Sequence, residues 1–120
     1  MRLVQSLLPL AAIFGFPVGA FAVVALSPID VQSTFGTGKP FSSSTPSGLA
    51  YTIVLNSDGT ASRTPRKGKA AITGTWRISK GGYCSTWAKS QEHCYRVEKD
   101  ADRYKVVDGS GSPVAYWTIK

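Results

Sequence analysis

Seven short runs rich in β-branched and aromatic residues follow one another through the second half of the sequence, each bounded by turn-forming residues. They are Leu49 to Leu55, Thr60 to Thr64, Ala70 to Ser79, Gly82 to Trp87, Glu92 to Glu98, Arg103 to Asp108 and Pro113 to Ile119. Strands this short cannot bury a face singly, and their regular spacing is the pattern of an antiparallel sandwich or barrel. No helical period of 3.6 and no internal repeat competes with it. Asn56-Ser57-Asp58-Gly59 predicts a turn with Gly59 at positive φ, and Gly109-Ser110-Gly111-Ser112 a second flexible connection. The expected fold is all-β: an antiparallel meander of seven strands, or eight with the Phe35 to Phe41 segment, forming a small barrel or half-barrel.

Residues that face one another across an antiparallel pair share a face of the sheet, so each hairpin predicts its neighbours. A tight turn from Ser79 to Gly82 places Ile78 beside Tyr83, Trp76 beside Ser85 and Gly74 beside Trp87, an indole over a residue with no side chain. The next hairpin sets Tyr83 opposite Tyr95, Cys84 opposite Cys94 and Ser85 opposite His93. Continued further, the pattern pairs Val97 with Tyr104, Tyr104 with Trp117, Tyr95 with Val106 and Val106 with Ala115. One face then collects Ile72, Trp76, Ile78, Tyr83, Trp87, Tyr95, Val97, Tyr104, Val106 and Trp117, and the cysteines fall on the other.

The first part of the chain has a different character. Between Arg2 and Asp30 there is no charge, and the stretch is dense in Leu, Ala, Val, Ile and Phe. A basic start, an apolar run and small residues at Ala20 and Ala22 read as a signal peptide over residues 1–22, with Ala25 as a second cleavage point and an uncleaved anchor as the rival reading. Residues 23–47, rich in Ser, Thr, Pro and Gly, read as a linker with one irregular strand, and residues 48–120 as the barrel-like domain. Cleavage after Ala22 leaves 98 of the 120 residues, a single domain with a modest core. The only cysteines lie in the exported part, where an oxidising compartment lets a disulfide persist. The expected localisation is periplasmic or secreted.

Loss of Arg2 leaves 13 Lys and Arg against 7 acids, a net +6. Such a surface favours contact with polyanions, whether nucleic acid, anionic lipid head groups or acidic envelope polymers; of these an envelope polymer or lipid head group is expected rather than nucleic acid, and the protein is expected to be a monomer or weak dimer. The densest cationic feature is Arg63, Arg66, Lys67 and Lys69, read as one exposed basic loop that docks on anionic surfaces. The second candidate site is the barrel interior or mouth, lined by Trp76, Ser85, Trp87, His93, Tyr95 and Trp117.

Ser85 beside His93 is the start of a nucleophilic dyad, but the register places no acid to orient the imidazole and there is no G-x-S-x-G elbow. Cys84, His93 and Cys94 give three soft ligands rather than the four of a structural zinc site. No phosphate loop or dinucleotide fingerprint is present. No enzyme activity, metal or cofactor is expected.

The segments Gly38-Lys39-Pro40-Phe41, Gly48 to Tyr51, Asp58-Gly59-Thr60, Gly74-Thr75-Trp76-Arg77, Gly82-Tyr83-Cys84-Ser85-Thr86-Trp87 and Cys94-Tyr95 resemble a family of small secreted proteobacterial proteins, domain of unknown function 995. The resemblance implies an exported β-domain with a cysteine pair and brings no activity or catalytic residues with it. A second resemblance, through Ser47-Gly48, Tyr51 and Lys67-Gly68-Lys69-Ala70, is to periplasmic inhibitors of c-type lysozyme. The two functional expectations are therefore a non-enzymatic barrel module that binds an envelope component or small ligand, and a protein inhibitor of an envelope-targeting enzyme such as lysozyme.

Overall fold

All seven runs form strands whose ends lie within two residues of the sequence boundaries. The computed structural model describes residues 23–66 and 70–119. In chain order its elements are β1 (Val24–Ala25), α1 (Pro28–Phe35), β2 (Phe41–Ser44), β3 (Ala50–Leu55), β4 (Thr60–Pro65), β5 (Ile72–Ser79), β6 (Gly82–Trp87), β7 (His93–Asp100), β8 (Arg103–Val107) and β9 (Pro113–Thr118). From β2 to β9 each strand pairs antiparallel with the next, and β9 returns to β2 through Ser42↔Thr118, Ser43↔Trp117 and Ser44↔Tyr116. The meander therefore closes as an eight-stranded barrel, with β1 outside it on β7. Of barrel and half-barrel, the barrel forms. The expected signal peptide, residues 1–22, lies outside the described residues.

The Ser27 to Ser47 segment, expected as a linker with one irregular strand, holds α1 as well as β2. Ser27 caps α1, its hydroxyl accepting from the Asp30 N–H at 3.1 Å, and Pro28 opens the first turn. The helix is eight residues long, too short for a periodicity argument. Packing stabilises it instead, since Val31 and Phe35 are both fully buried. Phe35 meets Phe41, Tyr104 and Trp117 edge-on at 4.7–5.0 Å between ring centres, so α1 plugs one end of the barrel. The eighth barrel strand is Phe41–Ser44, after Phe35 has ended the helix rather than begun a strand.

The β5–β6 and β6–β7 registers form as expected, with Gly74↔Trp87, Trp76↔Ser85, Ile78↔Tyr83, Tyr83↔Tyr95, Cys84↔Cys94 and Ser85↔His93. Tyr104↔Trp117 and Val106↔Ala115 also pair. Between β7 and β8 the register differs: Val97 pairs with Val106 and Lys99 with Tyr104, in place of Val97 with Tyr104 and Tyr95 with Val106. The turn is Ala101-Asp102, one residue later than the expected one, with Ala101 at φ 58°. A two-residue slip preserves the face, so Tyr104 and Val106 still point inward.

Cys84 and Cys94 are disulfide-bonded, with 3.9 Å between their Cα atoms, on the outer face of the wall. Arg77, the partner of Cys84 on β5, makes a bidentate pair with Glu92 at 2.9 Å beside the bridge. The bond indicates an oxidising compartment. Among the described residues, no helix is long and apolar enough to cross a membrane.

Candidate functional site

The two ends of the barrel differ. At the α1 end, Trp76 is 5% exposed, donates its indole N–H to the Asn56 carbonyl at 2.7 Å and packs against Gly36. Trp117 lies deeper, packed edge-on or tilted against Phe35, Phe41 and Tyr83. The opposite end has no plug of this kind among the described residues and holds a cavity of about 230 Å³. Trp117 forms part of its floor and Ile53, Leu55, Val114 and Ala115 its apolar wall, with Ser43, Ser85, Tyr51, Tyr95, Trp87 and Arg63 among its remaining lining.

Arg63 changes the character of this space. It was expected on an exposed basic loop with Arg66, Lys67 and Lys69, and the structure corrects that expectation. β4 runs on to Pro65, so Arg63 lies within a strand, two residues after the buried Ala61 and opposite Ile53 and Ile72. Strand alternation turns it inward. Its guanidinium lies over the Trp87 ring at 4.7 Å from the centre and the Tyr51 ring at 5.5 Å. Its Nε is buried with no hydrogen-bond partner among the described residues. Arg66 stands exposed at a shallow polar depression of the outer wall, beside Ser42, Ser44 and Tyr116. Lys67 and Lys69 lie outside the described residues.

The remaining interior candidates divide by depth. Ser85 is 4% exposed and, with Trp87, Tyr95 and Trp117, borders the cavity, whereas Trp76 belongs to the plugged end and does not. His93 is exposed, although its register partner Ser85 is buried. It is the first residue of β7, at the rim, and register fixes the face a residue takes but not its depth. No hydrogen bond joins Ser85 to His93 among the described residues. The ligand atoms of Cys84, Glu92 and Cys94 lie within 4.8 Å of one another, but the two sulfurs are bonded to each other and Arg77 holds the carboxylate.

Burial pushes the Tyr83 phenol well above the ordinary tyrosine range and raises the Tyr95 phenol too, where the nearby Arg63 charge works against the rise. Both remain neutral hydroxyls at physiological pH. Among the described residues the cavity thus presents neutral hydroxyls, an apolar wall and one permanent cation, and none of those lining it is an acid. Tyr51, Ile53, Leu55 and inward-facing Arg63 were not among the expected interior residues. The alternation of Tyr51, Ile53 and Leu55 was the available signal for that wall.

Comparison with known proteins returns no matching family model, no matching curated protein and no matching solved structure.

Proposed function

We propose that this protein is an exported, non-enzymatic binding module, periplasmic or secreted, which takes a small ligand into the open end of its barrel. The observation that carries the reading is the cavity of about 230 Å³ at the end opposite α1. An eight-stranded barrel is at the size where side chains either fill the interior or leave room for one small molecule. Here they leave room. The volume is below the range of about 300–1,000 Å³ usual for drug-sized ligands, which favours a compact occupant. The disulfide supports the exported compartment.

Titration with benzyl alcohol, a neutral single-ring probe, tests the cavity directly. Saturable shifts of the amide resonances of Ser85, Trp87, Ala115 and Trp117 are expected, and Ala115→Phe, which fills the space, should abolish them. Shifts that never saturate, or that fall only on outer-wall residues, would sink the reading. A lysozyme activity assay on the same preparation addresses the inhibitor alternative: dose-dependent inhibition by the protein would replace the small-ligand proposal with that one.

A further inference from the structure

We infer that the occupant is a small organic carboxylate bearing one apolar ring, with its charge held by the Arg63 guanidinium; this rests on the cavity being a binding site. A guanidinium cannot shed its proton in a protein. Placed inward with its Nε buried and unpartnered among the described residues, Arg63 bears a desolvation cost that an isolated surface arginine does not. The faces of Trp87 and Tyr51 orient the group and offset part of that cost, but a π-face supplies no oxygen for its N–H donors. Salt bridges among the described residues engage Arg77, Arg96 and Lys105 and leave Arg63 out. What the site lacks among the described residues is an acceptor carrying negative charge.

The rest of the lining specifies the rest of the ligand. A carboxylate matches the planar guanidinium fork, and the hydroxyls of Ser43, Ser85 and Tyr95 offer further donors around the same space. Beyond them the wall turns apolar at Ile53, Val114 and Trp117, a surface that a bare inorganic anion would leave unused. An apolar cavity of about 150 Å³ is enough to take up benzene. The space here, about 230 Å³, accommodates one ring with a carboxylate attached.

Calorimetric titration of the oxidised protein at low salt with phenylacetate and its neutral isostere phenylacetamide reads the charge requirement, and inorganic phosphate serves as the ring-free anion. Phenylacetate is expected to bind at least tenfold more tightly than phenylacetamide, and phosphate more weakly than phenylacetate. Arg63→Met should erase the preference while phenylacetamide still binds, and Arg63→Lys should retain part of it. Near-UV circular dichroism checks that the variants fold; should Arg63→Met fail to fold, the affinity ratio on the unaltered protein decides alone. Equal affinities for phenylacetate and phenylacetamide would overturn the carboxylate assignment and leave the binding barrel standing. Phosphate binding as tightly as phenylacetate would overturn the ring. Absence of binding by phenylacetate, phenylacetamide and benzyl alcohol alike would overturn the binding barrel itself.

Discussion

Gly74 lies against Trp87, and a Cβ built on it would come within 2.7 Å of the indole Cε3 and closer still to the Thr86 carbonyl oxygen. The neighbour that must yield is partly backbone. Gly74→Ala is therefore expected to cost about 1–3 kcal/mol, read as a lower urea midpoint with an unchanged slope. At the plugged end, Phe35→Ala removes a fully buried ring that contacts three others and is expected to cost about 3–5 kcal/mol by the same measurement. The Gly74 contact was legible in the sequence because one tight turn fixes the parity of both flanking strands. Arg63 was not. The Asn56 N–H bonds to the Thr60 carbonyl across a three-residue loop with Gly59 at φ 93°, and an odd loop shifts the parity of the strand that follows. The composition of Thr60 to Thr64 does not compensate, since Ala and Arg share one face while Thr, Ser and Thr share the other.

Among the elements, α1 was hidden by its length and by the Ser, Thr, Pro and Gly around it. Its start was nevertheless written locally in Ser27, Pro28 and Asp30, and its end in Gly36. Ser27→Ala should cost about 1 kcal/mol through loss of the cap. Because Val31 and Phe35 stay packed, the loss is expected as a shift in melting temperature without loss of strand signal. The β6–β7 hairpin was the most legible element, since register and cysteine placement agree. Its bridge spans a sequence separation of 10 residues, and a loop of that size confers about 2–3 kcal/mol by chain-entropy arithmetic. Replacing both Cys84 and Cys94 with Ser should lower stability by that amount, while 1-anilinonaphthalene-8-sulfonate fluorescence stays low as the closed barrel persists.

For the whole molecule, closure was the step the meander could not decide. It depends on β2 and β9 finding each other across the full barrel, a pairing that no single hairpin dictates. Once closed, the barrel carries its acid sensitivity on the outside. Hydrogen bonds from Thr60 hold the Asp58 carboxyl below its usual range, those from Ser110 and Ser112 do so for Asp108, and Arg77 does so for Glu92. Each folded carboxyl therefore binds its proton less readily than the unfolded one. The stability they confer is complete above about pH 4–5 and is lost as pH falls through the lowered values. Urea midpoints measured between pH 7 and pH 2 should show a decline confined to the acid end, and Asp108→Asn should reduce its size. β1 has a consequence of another kind. β6 pairs with β7 only as far as Tyr95, and Val24, Ala25 and Leu26 take up the main-chain groups of β7 beyond it, at Lys99, Glu98 and Val97. Under the proposed export, a chain cut after Ala22 would keep that stitch, whereas one cut after Ala25 would bare the edge of β7 at Glu98 and Lys99 to pairing with other chains.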